Sequence, residues 1–464
     1  MSGGTLRIMA STERLSPLDA SFLAVERPDT PMHVGWVAVL DPPERQRRPT
    51  FDDLAEHIAA RLRHAPRFRQ RVVGVPLAVH DPLWVDYAGF DPRAHLRKAD
   101  GRDLNAVVDA VLSSPLPRDR PLWEIWIAER LPDDRVAVIG KMHHCMVDGT
   151  AVVQLGNALL DPLPDGWRTP PPPDQWSPAP VPSAPERLAR AAAQRAGDSM
   201  ALALAPVRIA GSPQKLVRLP DAVTRGVRTG ARVLLPPAPA SPLNRHGGAQ
   251  RHQVRRTRTV DEIRAVRRRF GVTPNDVVLA ACAGALRRFA LRRGEEPQTL
   301  KAMVPADVRS IHDDDATGNR ISFVFITLPC GEADPVERLN VIGRATADRR
   351  RDAAAEALDV AFRGLARTPT PVQRALAHAF AHPRLFNLTI SSVVGPAAPR
   401  YLRGCRLREV HSAVPLAGRH ALSIGVVMVA GRACLGMTAD ATALPDADAL
   451  GDDLDAAFDE LVAA

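Results

Sequence analysis

The sequence predicts two globular halves, each mixing strand-like and helical segments. Three observations lead there. Apolar runs of strand length alternate with longer stretches of helical periodicity. A proline-rich and then basic segment divides the chain near its middle. The flanking parts, residues 1–161 and 259–464, are of similar size, and the 464-residue chain has ordinary globular composition, 45% hydrophobic and 24% charged.

In the first half, Asp103–Leu112 has a short helical pattern. Val136–Met142 is a β-branched apolar run that follows the polar pair Asp133-Asp134, so it reads as a strand. Thr150–Leu160 then sets Val152, Val153, Leu155, Leu159 and Leu160 on one helical face. Pro162–Pro185 holds ten prolines, including Pro170–Pro173, and such a segment is stiff and extended. Residues 162–258 therefore read as a linker, Pro-rich first and basic and helical after. In the second half Thr273–Arg293 predicts a helix, with Val278, Cys282, Leu286 and Phe289 on one face and Gly294 as its stop. Ile321–Leu328 and Ala421–Val429 are strand-like, and Asp446–Val462 is an amphipathic final helix.

Charge is concentrated. From Glu186 to Arg258 there are 14 basic residues against three acidic ones, more net charge than the +9 of the whole chain. One reading is a solvated helical connector. The other is a surface helix that touches anionic lipid. Nucleic acid is a poor third, because no recognition motif accompanies the charge and aromatics are only 4%. No run approaches the roughly 18–20 apolar residues of a membrane span, and no signal-peptide pattern opens the chain. A cytoplasmic protein with peripheral membrane contact is the expectation. Cys145, Cys282, Cys330, Cys405 and Cys434 form no C-x-x-C pair, so buried reduced thiols are expected rather than a disulfide or zinc framework.

The segment that carries chemistry is His143-His144-Cys145-Met146-Val147-Asp148-Gly149, between a predicted strand and a predicted helix. Histidine is the side chain best suited to proton transfer near neutral pH. Asp148 is placed to orient a ring or hold the loop, and Gly149 allows a tight turn. The arrangement suits a general base. It does not suit zinc, since H-E-x-x-H is absent and no third ligand has useful spacing. Cys145 as a nucleophile is the weaker alternative, and a pair of core histidines satisfied by hydrogen bonds is the bland one.

His143-His144-x-x-x-Asp148-Gly149 resembles the signature of the CoA-dependent acyltransferase superfamily. Leu15-Ser16-Pro17-Leu18-Asp19-Ala20-Ser21-Phe22 and Arg120-Pro121-Leu122-Trp123-Glu124 resemble segments of the bacterial wax ester synthase/diacylglycerol acyltransferase family. So do Asn275-Asp276-Val277-Val278-Leu279-Ala280, Gly318-Asn319-Arg320-Ile321-Ser322 and Phe386-Asn387. The chain departs from the family where Ser391-Ser392-Val393-Val394-Gly395-Pro396 replaces Ser-Asn-Val-Pro-Gly-Pro, and at Val304-Pro305-Ala306-Asp307-Val308-Arg309.

The resemblance implies two chloramphenicol-acetyltransferase-like α/β domains with an active-site tunnel between them. It implies transfer of a long-chain acyl group from acyl-CoA to the hydroxyl of diacylglycerol or a long-chain alcohol. His144 would be the general base, with His143, Asp148 and Gly149 supporting it. Pro121, Leu122 and Trp123 would shape the acyl channel. Asn275 and Asp276 would line the site, although capping a helix is their plainer role. Arg309 is a candidate partner of Asp148, and Ser391 and Gly395 carry over from the Ser-to-Pro segment. No cofactor or metal is implied, acyl-CoA being a co-substrate. Acyl transfer to another hydroxyl or amine acceptor, and non-catalytic lipid binding, stay open as alternatives.

Overall fold

The computed structural model describes residues 12–45, 47–62, 65–101, 103–146, 155–166, 176–210, 236–245, 247–307, 321–351 and 368–464. Within them the chain forms two six-stranded sheets and a small three-stranded one, with helices packed on each.

The first large sheet is built around β2 (His33–Asp41), β6 (Trp123–Ala128) and β7 (Val136–His143). β7 is buried along its whole length and lies between β2 and β6, antiparallel to both. A strand covered on both faces reads as a continuous apolar run, as Val136–Met142 does. β5 (Leu96–Lys98) extends one edge. The other edge comes from the second half of the chain, as β13 (Cys405–Ala413) pairs with β2 and carries β12 (Tyr401–Leu402) outside it. The predicted helix near residue 103 is α3 (Leu104–Ser113), and the Asp103 side chain caps it by accepting from the Asn105 amide. Of the predicted helix 150–160, residues 155–159 are helical and 150–154 lie outside the described residues.

The small sheet, of β1 (Glu13–Arg14), β4 (Leu83–Asp86) and β3 (Gln70–Val73), receives the linker. Trp176 stands edge-on to Phe90 and beneath the Arg69 guanidinium, and the Ala179 amide donates to Asp86. The linker then enters α4 (Ala184–Ala210), whose Ala191 is fully buried against Val75, Leu83 and Val85.

The second large sheet runs β10-β9-β11-β14-β15-β8. Its strands are β8 (Arg251–Thr259), β9 (Leu300–Asp307), β10 (Ile321–Leu328), β11 (Leu388–Val394), β14 (Leu422–Val429) and β15 (Arg432–Asp440). Beneath it lies α6 (Pro274–Arg292), buried from Asp276 through Leu286 and again at Phe289. It packs against α7 (Pro335–Arg351) and the final helix α9 (Ala447–Ala463).

One expectation fails here. Arg251–Arg258 is the edge strand β8, not the end of a helical linker. Period-two alternation explains its charge. On one face, His252, Arg256 and Arg258 meet Asp448, Asp452, Asp455 and Asp459, an acidic stripe at helical spacing along α9. Along the strand's outer edge, the Ser113 hydroxyl donates to the Arg251 backbone carbonyl, Arg255 donates to Asn105, and His252 also meets Asp109, all on α3 of the first half. These arginines are therefore committed to partners within the chain.

The two large sheets meet where β13 crosses β14 and β15. Gly425 and Gly436 face each other in register there. A Cβ on Gly425 would come within 2.1 Å of the Ser412 hydroxyl, and one on Gly436 within 2.2 Å of the Ser412 carbonyl. The sheets approach this closely because both positions lack side chains.

Candidate active site

β7 ends at His143, paired in register with His33 of β2. The chain then turns through a 3-10 segment, His144–Met146. This turn separates two adjacent histidines into different environments. His143 points into the protein and is 1% exposed, whereas His144 is partly exposed.

His143 is held at both ends. Its amide donates to the Leu122 carbonyl at 2.9 Å, and its Nδ1 accepts from the Cys145 amide at 3.1 Å. An accepting Nδ1 carries no proton, so the neutral ring has its hydrogen on Nε2. Burial, reinforced by the nearby Arg118 charge, pushes the His143 pKa down to about 3. His33 is likewise pushed to about 2, by burial first and then by Lys141, His143 and Arg251. Both rings are neutral near pH 7.

His144 is fixed differently. Its amide donates to the Met32 carbonyl at 2.8 Å, and its ring stacks on Phe22 with centroids 3.9 Å apart and planes 15° from parallel. Phe22 lies on α1 (Pro17–Val25), started by Ser16, whose hydroxyl accepts from the Asp19 amide. A partly exposed imidazole, located by stacking and by its own backbone, can take a proton from a bound hydroxyl. Cys145 cannot compete as nucleophile. It is 2% exposed, and burial raises its thiol pKa far above neutral.

Glu26 follows α1 and sits among these groups. Its Oε1 accepts from the Met32 amide at 3.1 Å and lies 3.4 Å from His143 Nε2 and 3.8 Å from His33 Nε2. Its Oε2 is ion-paired with Arg118. Glu26, Met32, His33 and Arg118 were not readable as site residues. The one available signal was that Glu26 lies four residues after Phe22, one helical turn on.

The other expected residues are placed as follows. Asp148, Gly149 and Arg309 lie outside the described residues. Pro121, Leu122 and Trp123 are buried, Trp123 at 1% exposure. Its ring stacks on His95 and its Nε1 donates to the Phe68 carbonyl, so its side chain is packed in the core. This segment reaches the site through the Leu122 carbonyl. Asp276 completes a capping box with Thr273 at the start of α6, and its second oxygen accepts from the Thr346 hydroxyl at 2.6 Å. Both oxygens are thus engaged within the second half; Asn275 beside it is half-buried. Ser391 lies on β11 and Gly395 just beyond it, where the Gly395 amide donates to the Met428 carbonyl. β11 pairs with β9 only at Leu388 and Thr389, so at Ser391 its ladder continues on the β14 side alone. Asn387 of the Phe-Asn pair ties Lys301 to Pro239 and Asn244, a structural duty. Among the described residues no group of three His, Cys, Asp or Glu side chains could hold a metal ion.

Comparison with known proteins adds the chemistry. The family model described as wax ester synthase/diacylglycerol acyltransferase catalytic domain matches residues 15–278, and that of the corresponding C-terminal domain matches residues 317–462. A Mycobacterium tuberculosis protein that carries a provisional diacylglycerol O-acyltransferase name is 33% identical over 480 residues, covering 98% of this chain and 91% of the relative. The solved wax ester synthase/diacylglycerol acyltransferase from Marinobacter aquaeolei VT8 has a TM-score of 0.70 at 24% identity, covering 97% of this chain and 98% of that one. The starter condensation domain of rhizomide synthetase has a TM-score of 0.55 at 15% identity, covering 100% of this chain and 96% of that one. These two structures show the shared two-domain fold.

Proposed function

Since the chain belongs to the wax ester synthase/diacylglycerol acyltransferase family, whose members are acyl-CoA-dependent O-acyltransferases, we propose that it acylates diacylglycerol, with a long-chain alcohol as second acceptor. The observation that carries the reading is the division of labour between the histidines. His143 is buried, neutral and fixed, while His144 is partly exposed and positioned by Phe22 and Met32.

In this reading acyl-CoA and the acceptor approach His144 from opposite ends of a tunnel between the halves. The imidazole removes the acceptor's hydroxyl proton as that oxygen attacks the thioester carbonyl. The C–O bond forms, the tetrahedral intermediate collapses, and the C–S bond breaks. The imidazolium returns its proton to the departing sulfur, leaving ester and free CoA. No acyl-enzyme forms, in keeping with the inert Cys145. Base catalysis of this kind contributes about 10²–10⁴-fold. Asp148 and Gly149 would shape the loop that carries His144, and Asn275, Ser391 and Gly395 would bound the acceptor side. The test is acceptor-dependent CoA release from palmitoyl-CoA, with diacylglycerol and hexadecanol offered separately. Release with diacylglycerol exceeding that with hexadecanol supports the proposal; the reverse order makes the wax ester activity primary.

Lipophilic substrates require access from a lipid surface, and we infer peripheral contact through the α4 side of the molecule. Among the described residues no helix is long and apolar enough to cross a membrane. Met200 and Leu204 of α4 are exposed at 60% and 38%. Arg195 on the same helix is committed to Val79, Thr368 and Thr370, so the apolar residues carry more of the inference than that charge does. Co-sedimentation with anionic vesicles should fall when Met200 and Leu204 are both changed to Ser. Unchanged binding would remove this face from consideration.

A further inference from the structure

We propose that Glu26, held by Arg118, is the positioning residue of the two-histidine site, which rests on the acyltransferase reading above. His143 Nδ1 is used by the Cys145 amide, which leaves the protonated Nε2 buried and, among the described residues, near the carboxylate of Glu26. At 3.4 Å that contact is long for a hydrogen bond, as such contacts often are before substrate binds.

The same carboxylate oxygen reaches the second histidine by a different path. It accepts from the Met32 amide, and the Met32 carbonyl accepts from the His144 amide. Glu26 therefore touches one histidine ring and, through one residue, the backbone of the other. Phe22, one turn earlier, stacks on the His144 ring. The end of α1 thus grips both histidines from one side.

Charge identifies Arg118 as the second member. His33 and His143 are neutral, so neither balances the Glu26 charge. The guanidinium of Arg118 does, pairing with Oε2 and leaving Oε1 for Met32 and His143. The Glu26 side chain is 14% exposed and that of Arg118 46%, so the pair spans from the site to its rim. A carboxylate with one oxygen bound to a cation and the other to the site cannot rotate freely. That restriction is what positions the two histidines.

The test uses Glu26→Gln, Arg118→Met and the double variant of the full chain. Steady-state kinetics with palmitoyl-CoA and diacylglycerol should show kcat lowered by about 100-fold in Glu26→Gln, the scale of a small misplacement of a catalytic group. KM for palmitoyl-CoA should stay within about threefold. If the two residues act as a unit, the double variant loses no more than the worse single one. A second readout needs no turnover. The downfield imidazole N–H proton resonance of His143, identified by its loss in His143→Asn, should move upfield or vanish in Glu26→Gln. Parent-like kcat together with an unmoved resonance overturns the proposal. So does a kcat loss with an unmoved resonance, which marks a merely structural residue. An inactive parent would refute the acyltransferase reading, and the resonance alone would then decide the role of Glu26.

Discussion

His143 and His144 show how far one peptide bond can separate two identical side chains. The strand ends between them, so one ring stays in the core and the other turns toward the surface. The pair was legible in the sequence because the apolar run before it predicts a strand end. Their partners were not, because Glu26, Met32 and Arg118 reach the site through tertiary packing. The titration of the buried rings has a consequence for stability. In the unfolded chain a histidine titrates near 6.5, whereas His143 and His57 are lowered to about 3 and His33 to about 2. Their contribution is complete above pH 6.5 and is lost as the pH falls toward 3, because the unfolded chain takes up protons that the fold refuses. Each costs about 1.4 kcal/mol per pH unit in that window. His252, raised by Asp109 and Asp448 against the opposing effect of burial, acts in the other direction, its contribution fading only as the pH rises past its folded value. The urea midpoint should therefore drop steeply between pH 6.5 and 4.5, and a flat midpoint there would contradict the burial of these rings.

Elements with strong local signals match their expected places. Asp103 and Thr273 cap α3 and α6, and the final helix starts within one residue of its predicted position. β8 shows the limit of such reading. A run of arginines lacks the apolar alternation that marks a strand, so Arg251–Arg258 looks like a basic connector until its partners are known. The reason it is a strand lies nearly two hundred residues later, in the aspartates of α9. Exposed pairs of this sort contribute roughly 0.2–1 kcal/mol each, so they fix register and partner choice more than stability. In the same way the Asn-Asp motif at the start of α6 reads first as a cap and second as a site, and the structure commits its aspartate to the cap.

At the scale of the molecule, the halves do more than sit side by side. β12 and β13 leave the second half to complete the sheet of the first. No local pattern announces that exchange. The crossing depends on Gly425 and Gly436, and each predicts a distinct cost. Gly425→Ala meets a serine hydroxyl that can rotate, while Gly436→Ala meets a backbone carbonyl that cannot. Overpacking costs about 1–3 kcal/mol, so Gly436→Ala should lie at or above the top of that range and Gly425→Ala near the bottom. Equal loss in both, measured by urea denaturation, would show that the crossing relaxes as a whole.

One assay decides whether His144 is the base of an acyl transfer. Release of CoA from palmitoyl-CoA is followed with and without diacylglycerol, for the parent and for His144→Ala, with folding of both checked by thermal melting. The parent should show acceptor-dependent release, and the variant a loss of at least about 100-fold. Equal release by a folded His144→Ala protein would contradict that role and assign the proton transfer elsewhere.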